Sequence, residues 1–271
     1  MLGRRSRIEI KTPEQLRHMR AAGLVVAGAL ARTAELVAPG VTTGQLDAAA
    51  AGFITAAGAR SNFKGYHGFP GVICTSVNDQ VVHGIPGDRV LHEGDLVSID
   101  CGAIIEGWHG DAAITVPVGQ VAPELLALSE ATERALWAGI ARALVGGRLS
   151  DIGAGCEAAI GGRYGIVQDY VGHGIGSSMH MEPSVPHVGP AGRGPRLRAG
   201  MALAIEPMVT MGSPEVTVLE DDWTVATLDG SVAAHWEHSV ALTDSGPVVL
   251  TAEDGGVAQL ADAGITAGDV G

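Results

Sequence analysis

The sequence predicts an α/β chain, with α+β segregation of its strands and helices, built as two related halves. Three observations carry that reading. An order of helix, helix and strands occurs twice, over residues 13–118 and again over 121–243. No Pro/Ser-rich linker separates the two stretches. Within the first stretch, Leu96 to Val118 reads as a β-hairpin with an aspartate inside each apolar arm.

The hairpin organises the rest. Leu96–Ile105 is apolar, Glu106-Gly107 marks a tight turn, and Ala112–Val118 is apolar again. With a two-residue turn, cross-strand partners sum to 213, so Asp111 faces Gly102 and Asp100 sits two residues away on the same face. Diagonal carboxylates about 7 Å apart cannot both stay charged in a buried strand without a cation. A three-residue loop would send them to opposite faces.

The other elements follow in chain order. Thr12-Pro13-Glu14-Gln15 is a capped helix start, with apolar residues at helical spacing as far as Val37 before Pro39-Gly40. Thr43 opens a second helix through Ala59. Phe63–Val82 is loop and strand. Helices are predicted again over Pro123–Val145 and Ser150–Ile160, then strands over Ile166–Val171, Met201–Met211, Trp223–Leu228 and Ser231–Thr243. Residues 1–250 read as one catalytic domain and 251–271, rich in Gly, Ala and Asp, as a flexible C-terminal tail.

Composition excludes several classes. At 46% hydrophobic and 17% charged, 271 residues can bury a large core. Aromatics are only 4%, so that core leans on Ala, Val, Leu and Ile. A net charge of −13 argues against nucleic-acid binding beyond an association with the ribosome. Cys74, Cys101 and Cys156 are odd in number and widely spaced, which fits a reducing, cytoplasmic setting. Arg4, Arg5 and Arg7 are followed by charged residues and not by the apolar core of a signal peptide. Ala21–Ala31, between Arg20 and Arg32, is too short to cross a bilayer, so no membrane role is expected and a monomer is the default.

Three further stretches carry chemistry. Gly172-His173-Gly174-Ile175-Gly176 through His180-Met181-Glu182-Pro183 places two histidines seven apart, which is not helical spacing. Taken alone it reads equally as a glycine-rich surface loop. In Met201–Val209, Glu206 interrupts an apolar strand and Pro207 removes a ladder donor. In His235-Trp236-Glu237-His238, another carboxylate enters an apolar strand. Buried ion pairs are the competing explanation, but Lys and Arg together number only 17. Asp100, Asp111, Glu206 and Glu237 carry four negative charges that two divalent cations would cancel. Carboxylates with an imidazole suit Mn, Fe, Co or Zn. No His-Glu-x-x-His occurs, so the helical zinc-protease arrangement is absent.

Together, Val82-His83-Gly84-Ile85-Pro86, Asp100 with Asp111, Gly172–Gly176, His180-x-Glu182-Pro183, Ile205-Glu206-Pro207-Met208 and Glu237-His238 resemble type I methionine aminopeptidase over residues 10–250. The resemblance implies the pita-bread fold: two pseudo-symmetric halves with a curved antiparallel sheet covered by helices. It implies removal of the initiator methionine from nascent proteins and peptides with a small second residue. It also implies two divalent ions on Asp100, Asp111, His173, Glu206 and Glu237, with Asp111 and Glu237 bridging. Glu206 would handle the proton of the attacking water, His180 would donate to the substrate carbonyl, and His83 would contact the amide near the leaving residue. Tyr66, His67, Phe69, Cys74 and Trp223 would line the methionine pocket, which suits a soft thioether. Ser177-Ser178-Met179 and Met181 depart from the commonest pattern of the family. X-Pro peptidases share the metal set and are the runner-up, although they usually carry an additional N-terminal domain. A metal-free peptide-binding relative of the same fold is a third reading.

Overall fold

A computed structural model describes residues 8–271, and Arg4, Arg5 and Arg7 lie outside the described residues. The first half comprises α1 (Pro13–Ala34), α2 (Thr43–Ala56), β1 (Arg60–Ser61), β2 (Ile73–Val77), β3 (Gln80–Val82), β4 (Leu96–Ile105) and β5 (Trp108–Pro117). The second opens with α3 (Pro123–Ile140), α4 (Leu149–Ile160), β6 (Gly165–Ile166), β7 (Gly172–Gly174) and β8 (Met181–Val185). It continues with β9 (Ala202–Ile205), β10 (Met208–Thr210), β11 (Val216–Val218), β12 (Val225–Thr227), β13 (Ala233–His235), β14 (Glu237–Thr243), β15 (Gly246–Val249) and α5 (Val257–Asp262).

Helix starts obey local chemistry. Thr12 Oγ1 accepts from Gln15 N at 3.3 Å while Gln15 Oε1 accepts from Thr12 N at 2.8 Å. Thr42 and Gln45 repeat this reciprocal cap on α2. Helix ends come earlier than periodicity alone implies. After Ala34 the amides of Leu36 and Val37 turn to carbonyls three residues back, and α2 stops at Ala56, two residues before Gly58 at φ +72°.

Nine strands form the main antiparallel sheet among the described residues, in the order β1-β4-β5-β14-β9-β7-β8, with β2 on β4 and β15 on β14. The hairpin register is the predicted one. Glu106 (φ +50°) and Gly107 (φ +80°) make a two-residue turn, Gly102 pairs with Asp111, and Asp100 pairs with Ala113. Both carboxylates therefore leave one face. In the main sheet the halves join where β5 meets β14, through Ala113↔Glu237 and Ala112↔His238, and in a separate sheet β3 pairs with β12. Ser239 clamps this seam: its Oγ donates to Asp111 O at 2.8 Å and accepts from Asp111 N at 3.0 Å.

The helices cover the sheet. Buried Val26, Leu30, Leu46 and Ile54 from α1 and α2 share a core with Ile73, Val97 and Ile99, while Leu136, Ile140 and Ile152 from α3 and α4 share one with Leu203, Ile205 and Val240. Contact between α1 and β5 is close enough to demand glycines, since a Cβ at Gly110 would stand 2.7 Å from Gly23 N.

Two expectations are corrected. The predicted strand Ile166–Val171 is reduced to Gly165–Ile166, whereas Met181–Val185, read as loop, pairs with β7. The C-terminal stretch 251–271 is no loose tail. Leu260 of α5 is fully buried against the α3, β9 and β14 core, and Arg20 reaches the carbonyls of Val249, Leu250, Ala252 and Glu253. Isolated apolar residues suffice there because the surface they cover comes from distant elements.

Candidate metal centre

Each acidic residue singled out in the sequence emerges from a strand or strand end beside the seam. Asp100 comes from β4, Asp111 from β5, Glu206 from the break between β9 and β10, and Glu237 from the start of β14. His173 lies on β7, which pairs with β9 through His173↔Ala204. Asp100, Asp111, His173, Glu206 and Glu237 are buried at one end of a cavity of about 160 Å³. One ligand atom from each of Asp111, His173 and Glu237 lies within 4.8 Å of the others.

The cluster is built to hold cations. Asp100 Oδ1, Asp111 Oδ1, Glu206 Oε1 and Glu237 Oε1 are buried and have no hydrogen-bond partner among the described residues. No Lys or Arg pairs with any of the four there. Burial pushes the Asp100 carboxyl up to about 7, offset in part by hydrogen bonds from Asp111 and the Cys101 backbone. Burial, then the neighbouring acids, raises Asp111, Glu206 and Glu237 well above the usual carboxylate range. Without cations these groups must retain protons, so the residues present fit divalent ions.

His173 is prepared as a ligand. Its Nδ1–H donates to Gly174 O at 3.0 Å, which leaves the Nε2 lone pair facing the acids, 3.4 Å from Glu206 Oε1. Burial first, and then His180, pulls it down to about 3. The His173–Glu206 contact is therefore between a carboxyl and a neutral imidazole, not an ion pair.

The rest of the cavity is walled by aromatic rings, imidazoles and sulfur. Tyr66, His67, Phe69, Cys74, His83, His180 and Trp223 all line it. Phe69 and Trp223 meet edge to face with centroids 5.0 Å apart. His180 lies over His173, their ring centroids 4.3 Å apart, and its Nδ1 is 2.8 Å from Tyr66 Oη. His67 and His83 adopt left-handed backbone conformations, φ +46° and +60°, uncommon for non-glycine residues and concentrated at functional sites.

Sequence reasoning missed four residues. Phe63 and Met179 complete the apolar wall, and Met179 had registered only as a departure from the family pattern. His187 Nε2 accepts from Glu206 N at 2.9 Å, and His235 Nε2 lies 3.8 Å from Glu206 Oε2. Two-residue spacing placed His235 on the same face as Glu237 and was the available signal. No local signal marked His187.

Comparison with known proteins agrees with this geometry. Residues 17–244 match metallopeptidase family M24. The chain is similar to methionine aminopeptidase 1 of Mycobacterium tuberculosis, 54% identical over 245 residues that cover 88% of this chain and 92% of the relative. Its fold superposes on the crystal structure of methionine aminopeptidase from Thermotoga maritima with a TM-score of 0.90 and 39% identity, over 91% of this chain and 100% of that one. A prolidase from Pyrococcus furiosus superposes at 0.72 with 21% identity, covering 90% of this chain and 65% of that one, a likeness in fold alone.

Proposed function

The chain belongs to metallopeptidase family M24, and from that premise we propose that it is a methionine aminopeptidase of the type I class, with the pita-bread fold. It removes the N-terminal methionine from nascent proteins and peptides when the second residue is small. The observation that carries this reading is the joint placement of five ligand-type side chains and an aromatic, sulfur-walled pocket in one small cavity.

Asp100, Asp111, His173, Glu206 and Glu237 would hold two divalent ions of the first-row type, Co, Mn, Fe or Zn, with Asp111 and Glu237 shared between them. Such ions supply Lewis acidity toward a carbonyl and lower the pKa of a water. The protein does the rest. Glu206 takes the proton of the attacking water and passes it toward the leaving amine. His180 donates to the carbonyl oxygen of the scissile bond as negative charge builds there. His83, which burial and then His180 pull down to about 4, is neutral at pH 7 and contacts the amide near the leaving residue. Tyr66, His67, Phe69, Cys74 and Trp223, with Phe63 and Met179, enclose the methionine thioether. The free amino terminus meets the acidic end beside Asp100.

No described helix is long and apolar enough to cross a membrane. The reading includes a cytoplasmic location, where nascent chains are made, and action as a monomer. The decisive experiment is metal analysis of the purified chain together with cleavage of Met-Ala-Ser, with and without chelator. Metal-dependent release of methionine is expected. Chelator-insensitive turnover, or binding of the peptide without cleavage, would overturn the reading.

A further inference from the structure

We propose that His187 and His235 are positioning residues that fix Glu206 from both ends, an inference that rests on Glu206 being a metal ligand and proton acceptor. Glu206 follows the last residue of β9 and precedes Pro207, so its backbone N–H falls outside the sheet ladder. That N–H donates to His187 Nε2 at 2.9 Å. The contact fixes the His187 tautomer, with the proton on Nδ1, and makes its Nε2 unavailable to an ion.

His187 is 2% exposed, and glycines make room for it. A Cβ at Gly172 would stand 3.3 Å from its Nε2, and one at Gly153 of α4 would stand 3.0 Å from Val188 N. His235 is 1% exposed and held by its backbone: its N–H faces Thr115 Oγ1 at 3.0 Å and Ser98 Oγ at 3.2 Å, and its carbonyl accepts from Thr115 at 2.8 Å. Its Nε2 has no hydrogen-bond partner among the described residues and lies 3.8 Å from Glu206 Oε2.

The two oxygens of Glu206 thus have separate neighbours: Oε1 faces the ligand His173 at 3.4 Å, and Oε2 faces His235. A closure of about 1 Å turns the second contact into an N–H···O hydrogen bond. Carboxylates that ligate metals are themselves hydrogen-bonded as a rule, and those partners govern affinity and orientation. An unpaired ring nitrogen buried beside an acid is costly unless it serves such a partner.

The test compares His187→Leu and His235→Leu with His187→Gln and His235→Gln. Glutamine offers an acceptor at the first site and a donor at the second. Cobalt(II) affinity, the cobalt absorption spectrum, the Tm of the chelated protein, and kcat and KM on Met-Ala-Ser are measured on each. Leucine variants are expected to lose ~10–100-fold in cobalt affinity and to fall in kcat with KM little changed. Glutamine variants are expected to recover most of both, with the number of imidazoles on cobalt unchanged. Should a leucine variant fail to fold, His235→Asn, too short to reach Glu206, takes its place and is expected to behave as leucine would.

Leucine variants with wild-type cobalt affinity and kcat would overturn the proposal. So would loss of an imidazole from the cobalt spectrum in His235→Gln, which would make His235 a ligand. Failure of the wild-type chain to bind cobalt at all would instead sink the aminopeptidase reading.

Discussion

Tyr66 Oη and His180 Nδ1 lie 2.8 Å apart, joining the turn before β2 to the loop between β7 and β8. Burial raises the Tyr66 phenol, which therefore keeps its proton, and burial with His67 lowers His180, which is therefore neutral. Tyr66 is then the donor and Nδ1 the acceptor, so the His180 proton sits on Nε2, free to be given to a substrate carbonyl. Tyr66→Phe removes that control. A fall in kcat of about fivefold is expected, the equivalent of one ordinary hydrogen bond, with metal content unchanged. Loss of metal in this variant would show that the contact serves the ligands instead.

Asp111→Asn and Glu237→Gln should separate stability from function. Each replaces a buried carboxyl that must take up a proton in the chelated state with a group that needs none, so the chelated protein should gain in Tm near neutral pH. Turnover and metal occupancy should both collapse if, as proposed, each carboxylate is a ligand shared by the ions. Calorimetric scans with and without added metal read both effects. A variant retaining two ions and full turnover would remove that carboxylate from the ligand set.

Acid stability follows from the raised carboxyls. In the folded, chelated chain Asp100 titrates at about 7 instead of 3.8, and Asp111, Glu206 and Glu237 are raised as well. Between those pH values these carboxyls hold protons in the folded state that they release in the unfolded one, a contribution to stability that falls as pH rises, while the buried His83, His173, His187 and His235, all pulled down, contribute in the opposite sense. The carboxyl contribution alone should decline from pH 4 toward pH 7, and it is read as the Tm gain of Asp111→Asn over the unaltered chain, both chelated, which should grow over that interval. Divalent metal displaces the same protons, so its affinity should climb over that interval and cancel the decline.

The proposed preference for a small second residue requires a closed pocket. Met-Ala-Ser should be cleaved far faster than Met-Leu-Ser, since a cavity of about 160 Å³ is already occupied by the methionine side chain. Phe69→Ala opens the wall against Trp223 and should raise KM for Met-Ala-Ser more than it lowers kcat. Equal turnover of the two peptides by the unaltered protein would count against a closed pocket.

The C-terminal segment should matter to stability. Leu260→Ala empties a fully buried site and is expected to cost ~2–5 kcal/mol, measured by denaturant unfolding. A change under 0.5 kcal/mol, about the range of exposed surface positions, would mean that α5 rests on the core without supporting it.

Much of this was written locally in the chain. The Glu106-Gly107 turn dictates the Asp100–Asp111 arrangement by itself, and the Thr12 and Thr42 caps locate two helices to the residue. What escaped depends on partners far along the chain. Leu260 is one of a few isolated apolar residues in a run rich in Gly, Ala and Asp, and its burial among Leu136, Ile140 and Val249 explains it. His187 gains meaning from a backbone N–H nineteen residues away. Met181–Val185 does alternate apolar and polar residues, but Pro183 inside it reads against a strand.

The seam between the halves has one further consequence. Only two paired positions link β5 to β14, and acids from both sides converge there: Asp100 and Asp111 from one half, Glu206 and Glu237 from the other. An ion captured at that place would act as a rivet, tying the acids of both halves together at the seam. Stripping it should do more than stop hydrolysis. Amide exchange should accelerate first along Ala112–Ala113 and Glu237–His238, so that starvation for metal would be felt as a loosening of the molecule along its midline.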